Sequence, residues 1–166
     1  APENGQYRKE YRALLLWDPR YLNDAIREYG TLARQQPENY QINHEYAQLL
    51  ARDKSKVNGA IDQYRKLVKQ RPGDLSLRRE YAAVLAQSPS HLDEARKEYE
   101  QILAIRDTYN VRVAYAEVLA QRRSTHDDAL EEYRALVEQN RSDTRVRLAY
   151  ADLLGAERAR ASQALD

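Results

Sequence analysis

The 166 residues include no cysteine, no methionine and no phenylalanine, one tryptophan, and only five glycines and five prolines. Without cysteine there is no disulfide framework, no thiol nucleophile and no zinc knuckle, and the compartment stays open between cytoplasm and periplasm. An excess of one charge is lacking too: 27 Lys and Arg against 26 Asp and Glu leave a net charge of +1. A nucleic-acid footprint needs a strong basic surplus on one face, so that partner class is not expected. No apolar run reads as a membrane span or a signal sequence within these residues, and direct membrane insertion of this segment is not expected either.

Chemistry-bearing patterns are equally scarce. The three histidines, His44, His91 and His126, stand far apart without metal-ligand spacing. There is no Gly-rich phosphate loop and no nucleophile elbow, and adjacent acids such as Glu131-Glu132 belong to solvated faces. His126-Asp127-Asp128 is the nearest thing to a cluster, but His126 falls three residues before an alanine, where other units have Leu22, Val57 and Leu92. That register makes it a packing residue at a helix entry, with the acids favouring the positive helix end. The reading is a non-enzyme with no catalytic residue, no cofactor and no metal.

What the chain does have is repetition. "EYAQLLAR" at 45, "EYAAVLAQ" at 80, "AYAEVLAQ" at 114 and "AYADLLGA" at 149 are near copies, and their tyrosines, Tyr46, Tyr81, Tyr115 and Tyr150, are 35, 34 and 35 residues apart. Stepping back another 35 lands on Tyr11. A second phrase keeps the same beat out of phase, with alanines Ala25, Ala60, Ala95 and Ala129 and tyrosines Tyr29, Tyr64, Tyr99 and Tyr133. A fixed period of this length means an array of small units.

Both phrases carry helical stripes. Ile42, Tyr46, Leu49 and Leu50 draw one apolar face, and Ile61, Tyr64, Leu67 and Val68 another. Breakers separate them: Asp18-Pro19 and Ser88-Pro89 before the second helix, Pro37-Glu38-Asn39 and Pro72-Gly73-Asp74 after it. The unit is helix, turn, helix, turn, and one pair cannot bury both stripes without stacking on its neighbours. The expected units are 6–37, 39–72, 74–107, 108–141 and an incomplete 143–166, in one array cut from a longer protein, with further repeats on the C-terminal side. "SQALD" reads as the opening of a fifth second helix. Of thirteen tyrosines nine are periodic and read as packing residues, leaving Tyr7, Tyr21, Tyr40 and Tyr109 as exposed contacts.

These units resemble tetratricopeptide repeats. The small residue, alanine, aromatic and proline of that pattern stand at Ala47, Ala60, Tyr64 and Pro72, and again at Ala82, Ala95 and Tyr99. The proline is replaced by Asp107 and Arg141 in later units, and the tryptophan of the first helix by Asn43, Arg78, Arg112 or Arg147. Most units exceed the consensus by one residue, which falls in the turn inside the pair.

The resemblance implies an all-α, right-handed solenoid of stacked antiparallel helix pairs, acting as a non-catalytic scaffold that binds protein partners along a concave groove lined by the first helices. Carried onto this sequence, the groove residues are Lys9 and Ala13, His44 and Gln48, Arg79 and Ala83, Val113 and Glu117, and Leu148 and Asp152, with Arg52, Gln87, Gln121 and Arg145 alongside. No unit pairs Lys with Asn as carboxylate clamps do. Phrases such as "VRLAYADLL" and "DALEEYRALVEQ" are similar to the periplasmic solenoids of bacterial exopolysaccharide export proteins, including the cellulose synthase kind. The resemblance therefore implies a periplasmic export segment. The alternative is a cytosolic adaptor or co-chaperone-like module holding a partner peptide in its groove.

Overall fold

The structure is a computed structural model that describes residues 19–163. Among the described residues there are eight α-helices and no strand: α1 Leu22–Gln35, α2 Tyr40–Ala51, α3 Val57–Gln70, α4 Leu75–Leu85, α5 Leu92–Ile105, α6 Tyr109–Leu119, α7 His126–Gln139 and α8 Thr144–Gln163. Short 3-10 turns, Pro19–Tyr21, Lys54–Lys56, Pro89–His91 and Arg123–Thr125, lead into α1, α3, α5 and α7. The last three fall inside hairpins, where the sequence places its extra residue. The chain divides after Gln87 into two compact units. In the first, α1 to α4 each pack on the next; in the second, α5 to α8 do the same. The fold class is the expected one, an all-α solenoid of helix pairs.

Helix starts follow from capping. Asn39 accepts from the Ile42 N–H at 3.2 Å, Asp74 from Ser76 and Leu77 at 3.1 and 3.0 Å, and Asp143 from Val146 at 3.1 Å. Each pairs an orphan donor of the first turn, a contribution of about 1 kcal/mol. Losing the proline does little to where the second helices end. With Asp107 or Arg141 in its place, α5 and α7 still stop at Ile105 and Gln139, the next N–H closing onto Ile102 and Leu136.

The core is the periodic skeleton. Ala25, Ala60, Ala95, Ala129, Ala47, Ala82 and Ala116 are fully buried, and the second-helix tyrosines are 2–3% exposed. Alanine at these places lets helix axes approach, and the tyrosine ring fills the space one turn on. First-helix tyrosines behave less uniformly: Tyr81 is buried, whereas Tyr46, Tyr115 and Tyr150 are half-buried. Tyr11 and Tyr7 lie outside the described residues.

Two expectations give way. Val113, placed in the groove by resemblance, is 2% exposed and belongs to the core of the second unit with Leu119, Tyr133, Leu136 and Val146. The turn expected before "SQALD" is not formed: α8 runs through Gly155 to Gln163. No proline, Asp or Ser-Pro pair interrupts "GAERARAS", and strong helix formers carry the helix on. With no helix folded back on it among the described residues, Ala151 is exposed where the three matching alanines are buried. Ala164 lies outside the described residues.

Candidate functional site

A polar and aromatic cluster sits on the face that α2 and α4 share in the first unit. Its centre is Glu80 of α4. One carboxylate oxygen, Oε2, lies 2.6 Å from His44 Nε2 of α2 and accepts from the Tyr64 hydroxyl at 2.9 Å and from Gln48 Nε2 at 3.3 Å. Facing a carboxylate at that distance, His44 Nε2 carries its proton and donates. The Gln48 amide, 3.4 Å from the same ring nitrogen, therefore turns its hydrogen to Glu80.

Rings close the cluster on three sides. The His44 imidazole stacks on Tyr40 with centroids 5.6 Å apart and meets Tyr64 edge-on at 6.1 Å. Tyr64 in turn stacks on Tyr81 at 6.5 Å. The Arg71 guanidinium lies over the Tyr40 ring, 3.6 Å from its centroid, a cation–π contact. Burial pushes the Tyr64 phenol far above its ordinary value, and the Glu80 charge adds to the shift. Tyr40 is raised as well, first by burial and then by Asp74, against the lowering influence of Arg71. Both phenols stay neutral donors and the carboxylate is engaged by three groups, an arrangement suited to holding a surface in shape and presenting its edges.

The predicted groove residues fall in both units. His44 and Gln48 are in the cluster. Arg52, at the end of α2, and Arg79, beside Glu80, are exposed at its margin. Gln87 is exposed just after α4. In the second unit, Glu117 of α6 and Arg145 of α8 face each other at 3.9 Å, with both side chains largely in solvent. Gln121 and Asp152 are exposed, and Leu148 is 59% exposed. Lys9 and Ala13 lie outside the described residues. Glu80, Tyr64 and Arg71 were not among the predicted contacts. One signal for them is that Glu80 and His44 differ from Ala149 and Val113, which hold the same register two repeats on.

His126 is a packing residue with a polar role. It is 8% exposed, its Nδ1 2.5 Å from Glu157 Oε1 and its Nε2 3.1 Å from the Ala120 carbonyl. It ties α7 to the long α8. Elsewhere in the second unit, the Tyr109 hydroxyl donates to Asp143 at 3.0 Å, linking α6 to the cap of α8. No described helix is long and apolar enough to cross a membrane, and among the described residues no three His, Asp or Glu side chains converge on a metal-sized site.

No family model matches the sequence, and no curated protein does. Solved structures do match in shape. A thermophilic tetratricopeptide repeat protein of Thermus thermophilus is 24% identical, with a TM-score of 0.60 over 80% of this chain and 73% of that one. A tetratricopeptide repeat protein of Parabacteroides merdae is 19% identical, with a TM-score of 0.69 over 86% of this chain; the match spans 56% of its own length. MamA is 15% identical, with a TM-score of 0.66 over 82% and 79% of the two chains. At these identities the likeness is one of fold, and in fold this chain is similar to tetratricopeptide repeat proteins.

Proposed function

We propose that the chain is a non-catalytic scaffold whose α2–α4 face receives an extended segment of a protein partner. The observation that carries this reading is the Glu80 cluster. It fixes Tyr40, His44 and Gln48 in place on a half-exposed face, flanked by the exposed cations Arg52 and Arg79. Rigid aromatic and amide groups give contact area at small entropic cost, while the flanking charges set orientation and on-rate. The acidic part of the partner lies toward Arg52 and Arg79. The finer setting, a periplasmic segment of an exopolysaccharide export system, rests on the Ala/Leu/Arg/Tyr-rich phrases; a signal peptide upstream and β-barrel strands downstream in the parent gene would favour it over a cytosolic adaptor.

The test is a selection of displayed random peptides on the whole chain, followed by titration of the enriched sequences against wild type and the R52E/R79E variant at low and physiological salt. Enriched peptides should carry Asp or Glu, and the double reversal should weaken binding about tenfold at low salt and less when salt screens the charges. The melting temperature should hardly change, since both positions are exposed. Equal affinities at both salts remove this face as the binding surface.

A further inference from the structure

The residue five places beyond the alanine of a second helix, set against the tyrosine of the next first helix, differs from repeat to repeat: Gly30, Arg65, Glu100 and Arg134. Arg65 stands five after Ala60, and its Nε donates to the Tyr81 hydroxyl at 3.2 Å. Glu100 stands five after Ala95, and its Oε1 accepts from the Tyr115 hydroxyl at 3.1 Å and from Arg96 Nε at 2.9 Å. Five after Ala25 stands Gly30. A Cβ there would come within 3.1 Å of Tyr46 Oη, so the ring has moved up to the bare backbone, and no side chain from this position reaches the hydroxyl.

A cleft of about 410 Å³ opens beside it, walled by Gly30, Ala33 and Arg34 of α1, Tyr46 of α2, and Lys66 and Leu67 of α3. Its other polar lining is amide, from Asn43, Gln63 and Gln70. Among the described lining residues there are two cations and no carboxylate. At the matching positions of the second unit the charges neutralise one another. Glu100 is held by Arg96, while Arg112 and Glu132, which stand where Asn43 and Gln63 do, pair at 3.0 Å, and Arg112 also holds Asp107 at 2.6 Å. The first unit keeps the tyrosine and lacks the acid, and its cations stand at other positions, Arg34 and Lys66 where the second unit has Ala104 and Ala135, with Arg34 donating to Thr31 Oγ1 at 3.1 Å.

We propose that this cleft is a docking site for a glutamate side chain carried by an acidic segment of a partner protein, its carboxylate taking the place that Glu100 fills in the second unit. Tyr46 Oη donates to the incoming oxygen, Arg34 and Lys66 balance its charge, and Ala33 and Leu67 receive its methylenes. The cleft follows the helices from Gly30 to Pro37, roughly 10 Å at helical rise, which accommodates about three residues of extended chain. Tyr46 is about 200° round α2 from His44, so this surface is separate from the α2–α4 face.

The experiment is a selection of displayed random peptides on the wild-type chain after depletion on a Gly30→Glu chain, whose cleft holds its own acid. Its Cβ requires the Tyr46 ring to shift by a few tenths of an ångström, toward the arrangement that Arg65 and Glu100 have in the same register, and circular dichroism checks that the variant folds. Surviving peptides should be rich in Glu. Replacing their Glu by Gln, or testing them on R34E/K66E, should weaken binding tenfold or more, as expected for a charge-assisted hydrogen bond, while R52E/R79E binds them as wild type does. An empty selection overturns the proposal, as do binders indifferent to R34E/K66E, whose exposed side chains keep that variant folded. Free succinate that binds wild type but not Gly30→Glu as tightly as the peptides would overturn the protein segment in favour of a small carboxylic acid.

Discussion

His44, Tyr64 and Glu80 in the first unit stand in the same register as Val113, Tyr133 and Ala149 in the second. The tyrosines are equally buried, yet one set makes a hydrogen-bonded cluster and the other an apolar interior. A histidine, a glutamine and a glutamate in one stand against a valine, a glutamate and an alanine in the other. Val113 sinks into the core, Leu148 of α8 remains exposed, and the Tyr133 phenol, raised to about 12 first by burial and then by Glu117, stays neutral. The alanines and second-helix tyrosines determine the fold in both units, and the residues between them determine what each face can bind.

The largest effect should come where the units agree. Tyr64→Ala and Tyr133→Ala each remove a ring from a closed interior and should each cost about 3–5 kcal/mol through lost burial and the cavity left behind. Because stacked repeats unfold in parts, the loss is best read by hydrogen exchange of α3 and α4 for the first variant, and of α7 and α8 for the second. A cost in only one unit would show that the shared skeleton does not bear equal weight in the two.

The units should separate when only the hydroxyl is removed. Tyr64→Phe loses a hydrogen bond to a carboxylate and should cost about 1.5–3 kcal/mol, whereas Tyr133→Phe should cost less than half of that. Alkaline titration sharpens the same contrast. A phenol whose folded pKa lies above the unfolded value of 10 contributes stability that is complete below pH 10 and is lost as pH rises through the folded value. For Tyr115 and Tyr133, both raised to about 12, the window runs from about 10 to about 12; Tyr64 is shifted the same way. Melts from neutral pH upward should decline above pH 10 in wild type and less steeply in Tyr133→Phe. An equal slope would mean that this phenol does not stay protonated inside the fold.

Much of the fold was legible because its determinants recur at one spacing. Ala47, Ala60, Tyr64 and Leu67 could be placed in the core from their period alone, and Asn39 and Asp74 mark helix starts that capping then explains. The candidate site was legible in part. His44 and Gln48 follow from their place on the first helix, but Glu80 is 36 residues from His44 and joins it only when α2 and α4 come together. Val113 was misplaced because the groove register was carried over from a resemblance, while its own apolar side chain follows the core. The continuous α8 shows the converse: a repeat period predicts a turn, but without a breaker residue the local helix preference prevails.

The smallest expected effect concerns the polar rim of the second unit. Glu117 and Arg145 are 3.9 Å apart, with side chains 48% and 69% exposed, so water screens their attraction and holding two long side chains costs entropy. Arg145→Ala should therefore change stability by no more than about 0.5 kcal/mol, within the usual range for an exposed pair. Glu80→Ala in the first unit is the contrasting variant, because it leaves the buried Tyr64 hydroxyl, His44 and Gln48 without their shared acceptor and should cost several times as much. Denaturant midpoints of the two variants against wild type give the ratio. Similar losses would mean that the exposed rim of the second unit is coupled to its core as tightly as the Glu80 cluster is to its own, and the distinction between a structured face and a solvated one would not hold.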